Sequence, residues 1–287
     1  MSGSGVFSYP CGGSVTVIEV VPRRGKLVLE VTALYKHFEK VRAVDGISFA
    51  VRSGEVYGLL GPNGAGKSTA LKCILGLYNI KGGSISIMGH DPLANPEEAR
   101  KVIGYISEEP EIYKSLTVRE LLNFVTSIRE MDPEVATERA SQMLTSLDAD
   151  QYFDSIVATL SRGNVQKVQI IAAMLHEPDL LIMDEPLTAL DAKSRRVVKE
   201  MVKLHVRRGG SVLLSTHVME QAQDQCHRIG IIDKGRLVAE GTLDELRALE
   251  DSAGASLEDL FLMITEHDQS VEEIMKRFEE AYKRGSA

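Results

Sequence analysis

The sequence lacks an apolar run long enough to cross a membrane as a helix. Its longest runs, around residues 170–175 and 180–183, fall short of the roughly 18 to 20 residues that a spanning helix needs. The opening MSGSGVFSYPCGGS also lacks the basic start and apolar core of a secretory signal. We therefore expect a chain that does not cross a bilayer, with a flexible N-terminal extension at 1–26.

Cysteine and positive charge are also scarce. The three cysteines, Cys11, Cys73 and Cys226, form no CxxC pair, which favours reduced thiols in the cytosol over a disulfide framework. Asp and Glu number 41 against 33 Lys and Arg, and the formal net charge is -8. This balance argues against a protein that binds nucleic acid by neutralising phosphates. With 44% apolar residues in 287, the chain can bury one large core or two modest ones.

The remaining pattern is that of an α/β protein. Between residues 26 and 51, short β-branched runs separated by polar turns predict antiparallel strands. From 117 to 147 the apolar period is helical, with Thr117 and Asp132 as predicted caps and Pro133 in a first turn. After Leu160, helices at 163–175 and 192–206 alternate with strands at 180–184 and 211–215. Such alternation predicts a parallel sheet flanked by helices.

The segment GPNGAGKST fits G-x-x-x-x-G-K-[ST] and lies between a predicted strand and a predicted helix. Its glycines allow amide N–H groups to converge on phosphate oxygens, and the helix N-terminus adds positive potential. Lys67 is predicted to bridge the outer phosphates and Ser68 to ligate Mg²⁺. The alternative is a glycine-rich turn without chemical meaning. The predicted nucleotide-binding residues of this P-loop (Walker A) are Gly61, Pro62, Asn63, Gly64, Ala65, Gly66, Lys67, Ser68 and Thr69.

The segment LLIMDEP ends an apolar run with adjacent carboxylates, Asp184 and Glu185. Paired acids at the end of a buried strand need a partner that offsets their desolvation. In a nucleotide site, Asp184 would hold Mg²⁺ through water, and Glu185 would polarise the water that attacks the γ-phosphate. The alternative is a surface turn with two solvated acids.

Further segments follow in a fixed order: LSRGN from Leu160, TALD ending at Asp191, and LLSTH ending at His217. Together with the phosphate loop and the acid pair, they resemble the ATP-binding subunit of ABC transporters, over about residues 29–249. The resemblance implies a P-loop NTPase fold of the ABC type, with a mixed sheet core, an antiparallel β subdomain and a helical subdomain at about 110–165. It also implies ATP and Mg²⁺ as cofactors.

The resemblance assigns roles to the matching positions. Ser161 and Gly163 would bind the γ-phosphate of ATP held by a second cassette, and Asp191 would communicate across that dimer. His217 is similar to the switch histidine that contacts the γ-phosphate. Phe38 matches the aromatic that stacks on adenine, although Tyr35 is a rival and packing in the core is the alternative role for either ring.

Some positions depart from the family pattern. The signature motif is LSGGQ in the family, and here Arg162 and Asn164 differ while Ser161 and Gly163 are retained. Glu108, in GYISEEP, stands where the family often has glutamine, and we expect it to sense Mg·ATP as a further Mg²⁺ ligand. A solvated loop acid is the alternative. This EEP variant and the tail SLEDLFLMIT resemble exporter-type members, although the tail also fits an amphipathic helix packed on its own domain.

We therefore expect three parts: the extension at 1–26, an ABC ATP-binding domain at 27–249, and a C-terminal helical tail at 250–287 with two amphipathic helices. The expected function is ATP hydrolysis that powers transport, in the export direction, through a separate membrane permease. The expected partners are a second cassette and that permease, at the cytoplasmic face of the membrane, without nucleic acid. The alternative is a soluble assembly ATPase of the same fold, for example in iron–sulfur cluster construction.

Overall fold

A computed structural model describes residues 25–248 and 257–264. The predicted extension and most of the tail therefore lie outside the described residues, as does Cys11. Nine strands are described: β1 (Leu27–Phe38), β2 (Val41–Arg52), β3 (Val56–Leu60), β4 (Gly82–Ile87), β5 (Ile103–Ile106), β6 (Leu180–Asp184), β7 (Ser211–Thr216), β8 (Arg228–Asp233) and β9 (Arg236–Gly241). The described helices are α1 (Lys67–Ile74), α2 (Pro96–Lys101), α3 (Val118–Ile128), α4 (Pro133–Ser146), α5 (Arg162–Met174), α6 (Ala192–Arg207), α7 (Met219–Gln225), α8 (Leu243–Ala248) and α9 (Leu257–Ile264).

The central sheet has six strands in the order β5-β6-β7-β3-β8-β9. The pairs from β5 to β8 are parallel, whereas β9 pairs with β8 in the antiparallel sense. Every residue of β3, β6 and β7 is buried, as is typical of parallel strands covered on both faces. The parallel strands all end at the same side of the sheet, its carboxyl edge, and the loops that follow β3, β5, β6 and β7 meet there.

A second sheet lies beside the first and has the order β2-β1-β4, with both pairings antiparallel. Its apolar residues, including Leu29, Leu34 and Phe49, join one core with β3 and α1. This sheet is the predicted antiparallel subdomain. Together with the mixed central sheet and the helices, it confirms the predicted fold class.

The helical region begins with a capping box. Thr117 accepts a hydrogen bond from the N–H of Glu120, whose carboxylate accepts from the N–H of Thr117. Asp132 caps α4 through its carboxylate, and Pro133 is the first residue of that helix. Both helix starts are confirmed. Apolar residues of α3 and α4, such as Leu121, Leu122 and Leu144, pack with those of α5 in one core.

The chain after β7 contains elements that the sequence did not predict: α7, β8, β9 and α8. The third core, formed by these elements with β3, also receives α9, whose Leu257, Leu260 and Phe261 are buried. The described part of the tail, α9, is therefore an amphipathic helix that packs on its own domain. The predicted second tail helix lies outside the described residues. No helix in the described ranges is long and apolar enough to cross a membrane.

The two described cysteines are free thiols, as predicted. Burial raises the pKa of Cys73 to about 11 and that of Cys226 to about 12. Since the thiolate is the reactive form, burial disfavours reaction at both cysteines.

Candidate functional site

The phosphate-binding loop connects β3 to α1, as the sequence predicts, and its close packing explains two of its glycines. A Cβ atom on Gly61 would lie 2.3 Å from the carbonyl oxygen of Ile232 in β8. A Cβ atom on Gly66 would lie 2.2 Å from the carbonyl oxygen of Ala43 in β2, and Gly66 has a φ of 106°. Only glycine fits at either position, so both sheets set the path of the loop.

Lys67 is the first residue of α1 and is buried. Its ammonium donates to the carbonyl oxygens of Gly61 at 2.7 Å and Pro62 at 3.1 Å. Burial lowers the pKa of Lys67, and the charges of Glu185, Asp184 and Glu108 oppose that effect. The ammonium therefore lies within electrostatic reach of the three acids that the sequence singled out.

The two acids of LLIMDEP are held by the end of the neighbouring strand β7. Asp184 is the last residue of β6, and its Oδ1 accepts from Ser215 Oγ at 2.7 Å. Glu185 accepts from Thr216 Oγ1 at 3.2 Å through Oε2. Asp184 and Glu185 are only 3% and 6% exposed, which excludes the surface turn with solvated acids.

His217 contacts Glu185 through two atoms. Its main-chain N–H donates to Oε1 at 2.7 Å, and its ring Nδ1 lies 2.7 Å from the same oxygen. Glu185 itself has a φ of 46°, a conformation uncommon for a residue with a side chain. The His217 side chain is 44% exposed, so one face of this pair is open to solvent.

The LSRGN and TALD segments lie against each other. Ser161 is the N-cap of α5 and accepts a hydrogen bond from the N–H of Asn164 at 3.3 Å. A Cβ atom on Gly163 would lie 2.9 Å from the carbonyl oxygen of Ala189. Ser161 and Arg162 are exposed, so the first turn of α5 faces solvent, with the positive end of the helix dipole behind it.

Asp191 is the N-cap of α6. Its carboxylate accepts from the N–H of Ser194 at 2.9 Å and from the Ser194 hydroxyl at 2.7 Å. These bonds lower the pKa of Asp191 to about 2, with a smaller contribution from the charge of Lys167. Lys167, on α5, is 3.8 Å from Asp191 Oδ2. The pair connects the helix of the signature motif to the start of α6.

The two candidate aromatics differ in their surroundings. Tyr35 covers glycines of its own sheet: a Cβ atom on Gly46 would lie 2.8 Å from its hydroxyl, and one on Gly82 would lie 3.3 Å from its ring. Phe38 ends β1, is 41% exposed and contacts the ring of Tyr78 edge to face, with centroids 5.5 Å apart. Tyr35 is similarly exposed, at 39%, and the Lys36 ammonium lies 4.6 Å from the centroid of the Phe38 ring. The assignment of the base to Phe38 therefore rests on the family resemblance.

A magnesium ion fits the donors available at this edge of the sheet. Among residues 25–248 and 257–264, no group of three His, Cys, Asp or Glu side chains could hold a metal ion. Mg²⁺ keeps several waters and binds through one or two protein oxygens together with phosphates. Ser68 and Asp184, with Glu108 exposed on the loop after β5, supply that kind of donor set.

Sequence reasoning missed Ser215, Thr216 and Lys167 as members of the site. Ser215 and Thr216 hold the two acids, and their position directly before His217 in LLSTH was an available signal. Lys167 contacts Asp191, and no pattern in the sequence indicates that contact.

Comparison with known proteins gives the family. Residues 44–188 match the family model described as ABC transporter. The chain is 32% identical over 271 residues to the probable multidrug ABC transporter ATP-binding protein YbhF of Escherichia coli, an alignment that covers 93% of this chain and 46% of that protein. It is 36% identical over 220 residues to the daunorubicin/doxorubicin resistance ATP-binding protein DrrA of Streptomyces peucetius. That alignment covers 77% of this chain and 67% of that protein.

A solved structure described as the ATP-binding subunit of an ABC transporter is also similar. It has a TM-score of 0.80 and 35% identity, and the match covers 83% of this chain and 99% of that one. This chain spans about half the length of the YbhF relative, with 46% covered. The resemblance found in the sequence is confirmed: the chain belongs to the ABC transporter family, as one of its ATP-binding cassettes.

Proposed function

We propose that this chain is the ATP-hydrolysing subunit of an ABC exporter that acts through a separate transmembrane permease. The observation that carries the proposal is the meeting of Lys67, Asp184, Glu185 and His217 at the carboxyl edge of the parallel sheet. A buried ammonium can bind phosphates, one acid can help to hold a metal ion, and a second acid can position the attacking water, which are tasks that phosphoryl transfer from ATP to water involves.

Each group has a distinct role in this proposal. Lys67 and the loop amides bind the phosphates, and the positive end of α1 adds to their attraction. Ser68, Asp184 and Glu108 would hold Mg²⁺, and the ion would supply positive charge beside the phosphates. Glu185 accepts the proton of the attacking water. His217 orients the Glu185 carboxylate through the contacts at its Oε1.

A second cassette completes the site. The exposed Ser161 and the N-terminus of α5 offer donors for a γ-phosphate. They belong to the helical region, whereas the phosphate loop of the same chain connects β3 to α1. A cassette dimer would join the two halves, with Asp191 at the contact. The retained Ser161 and Gly163 support this role despite the departures at Arg162 and Asn164.

The helical region supplies a surface for the permease. Tyr113, Phe124 and Ile128 are 60%, 42% and 63% exposed, and the rings of Tyr113 and Phe124 contact edge to face at 5.3 Å. Adjacent exposed apolar side chains of this kind are typical of a binding site for a partner. We propose that these side chains bind a short helix of the permease, since an amphipathic helix binds in an apolar groove through its own apolar side chains. The chain would then act at the cytoplasmic face of the membrane.

Direction and cargo class rest on the relatives. The names of YbhF and DrrA refer to multidrug transport and to daunorubicin/doxorubicin resistance, which supports export of a drug-like small molecule. The same names favour the transporter over the soluble assembly ATPase.

The test is affinity purification of the tagged Glu185→Gln chain from detergent-solubilised source cells with ATP present, followed by mass spectrometry. We expect recovery of a multi-span membrane protein. The matched control is Glu185→Gln combined with Phe124→Ser and Ile128→Ser, which should lose that protein while still binding ATP. Repeated recovery of soluble assembly proteins alone would overturn the proposal in favour of the assembly ATPase.

A further inference from the structure

Two buried glutamines lie one turn apart on α5, the helix that begins with the signature motif. Gln166 is 1% exposed and Gln169 is 5% exposed. Their neighbours Val168, Ile170 and Ile171 are fully buried apolar residues. Carboxamides in such surroundings require hydrogen-bond partners. The partners are the loops that follow the two adjacent strands β5 and β6.

Gln166 bonds to the loop that carries the second acid. Its Nε2 donates to the carbonyl oxygen of Pro186, the residue after Glu185, at 3.2 Å. The loop after β6 is thereby fixed to α5.

Gln169 holds the loop that carries Glu108. Its carboxamide lies 2.7 Å from the hydroxyl of Ser107, which is buried and directly precedes Glu108. The same hydroxyl lies 2.6 Å from the carbonyl oxygen of Glu109. With the carboxamide oxygen facing Ser107, that oxygen also accepts from the Ser107 N–H at 2.9 Å, while the nitrogen donates to the Ser107 carbonyl at 3.2 Å and to Gln166 Oε1 at 3.3 Å.

These contacts connect the helix of the signature motif to the loop that carries Glu108. The first turn of α5 presents Ser161, and two turns further along Gln169 holds the residue next to Glu108. Glu108 is exposed and adds to the field at Lys67. A shift of α5 therefore displaces the Glu108 loop, because a buried hydrogen-bond network has few alternative arrangements.

We propose that Gln169 is a positioning residue: through Ser107 it holds Glu108 in place for Mg·ATP and couples that place to the signature helix. This inference rests on the proposed role of Glu108 as a Mg²⁺ ligand. It adds a residue that touches neither nucleotide nor metal, and it specifies which hydrogen bond transmits the movement.

The test measures ATP hydrolysis by the full chain as a function of Mg²⁺, for Gln169→Met, Ser107→Ala and the double variant. Methionine keeps the length of the side chain and removes its hydrogen bonds. We expect each single variant to raise the half-saturating Mg²⁺ concentration by roughly three- to tenfold, the effect of losing about one buried hydrogen bond. The loss in the double variant should be smaller than the sum of the two single losses, because both single variants remove the bond between the Gln169 carboxamide and the Ser107 hydroxyl.

Two controls separate positioning from stability. Gln142→Met makes the same change at an exposed glutamine of α4 and should leave the Mg²⁺ dependence unchanged. The KM for ATP at saturating Mg²⁺ should stay within about twofold in every variant, since the bonds that are removed join Gln169 to Ser107 and Gln166. If Gln169→Met does not fold, Ser107→Ala carries the test, because it removes only one hydroxyl.

Glu108→Gln separates a failure of the positioning role of Gln169 from a failure of the proposed role of Glu108 as a Mg²⁺ ligand. If Glu108→Gln shifts the Mg²⁺ dependence while folded Gln169→Met and Ser107→Ala do not, the positioning role is wrong and the role of Glu108 stands. If Glu108→Gln also leaves it unchanged, both are wrong. A lower melting temperature and lower kcat with wild-type Mg²⁺ dependence would make Gln169 a structural residue only.

Discussion

His217 holds the Oε1 atom of Glu185 with two nitrogens, the main-chain N–H and the ring Nδ1, each 2.7 Å away. The two residues are 32 positions apart and meet because β6 and β7 are parallel neighbours that end at the same edge. The histidine therefore sets the orientation of the carboxylate proposed as general base.

Removing the carboxylate charge of Glu185 should stop the chemistry and spare binding. We expect Glu185→Gln to lower kcat for ATP hydrolysis by roughly 10² to 10⁴, the usual contribution of a positioned general base. Nucleotide affinity should stay close to wild type, as measured by equilibrium titration. Glu97→Gln, an exposed change in the first turn of α2, is the matched control. Near-normal turnover in Glu185→Gln would remove Glu185 from this role.

His217 should act through Glu185. His217→Ala loses the ring contact and keeps the main-chain donor, so we expect kcat to fall by roughly 10², within the range of acid–base effects. Combined with Glu185→Gln, it should cause little further loss, because residues that act as a unit are not additive. Steady-state kinetics of the single and double variants measure this. Full additivity would show that His217 acts independently of Glu185.

Phe38, and not Tyr35, should contact the base of the nucleotide. We expect Phe38→Ala to raise the KM for ATP by roughly 5- to 150-fold, since stacking of a base on an aromatic ring contributes about 1 to 3 kcal/mol. Tyr35→Ala should lower the melting temperature, because the ring covers Gly46 and Gly82, and leave the KM of the folded protein within about twofold. The reverse pattern would assign the base to Tyr35.

Asp191 should stabilise α6 as its N-cap. Asp191→Ala removes the bonds to Ser194 and should reduce the free energy of unfolding by about 1 kcal/mol, or lower the Tm by roughly 2 to 4 °C. Asp191→Ser retains a capping oxygen and should recover most of that loss. Thermal unfolding of the isolated chain measures both. Equal stability of the alanine and serine variants would contradict the cap.

His176 should make the fold sensitive to mild acid. Burial, with the nearby charge of Arg129, lowers its pKa to about 4, while its Nε2 lies 3.0 Å from the Ile103 carbonyl oxygen. The unfolded chain, with a histidine pKa of about 6.5, therefore binds more protons than the folded one between these values. Stability should fall as the pH drops through this window, by at most about 1.4 kcal/mol per pH unit for one group.

The measurement is denaturant unfolding of wild type and His176→Gln from pH 8 to pH 4.5. Glutamine can still donate to the Ile103 carbonyl but does not titrate, so its acid-dependent loss should be smaller. The difference at pH 8, where the histidine is neutral in both states, corrects for altered packing. Parallel curves for the two proteins would show that another group causes the loss.

Much of the site could be predicted from the sequence because its signals are local. The glycines of the phosphate loop lie within a few residues of one another, and the strand and helix that flank it have their own periodicity. The caps at Thr117 and Asp132 depend on hydrogen bonds to residues two or three positions away. For Asp184 and Glu185, the position at the end of an apolar run left a solvated surface turn as the alternative, and the burial of both side chains excluded it.

Two features were not decided from the sequence, for different reasons. The strands β8 and β9 form an antiparallel hairpin across Lys234 and Gly235, both of which have positive φ. The glycine in DKG, between two apolar runs, was an available local signal for that hairpin. The choice between Phe38 and Tyr35 was open because their contacts involve residues far away in the chain: Tyr35 packs on Gly46 and Gly82, and Phe38 on Tyr78.

The sequence by itself determined the family, because its motifs are short segments in a fixed order. It also determined the starts of α3 and α4, because their caps bond to near neighbours. Only the tertiary structure decided which segments far apart in the chain contact each other. Gln169 and Ser107 are 62 positions apart, and no periodicity in either segment indicates that they bond. Such contacts follow from strand order and register, which are set by the packing of the whole core and not by any one segment.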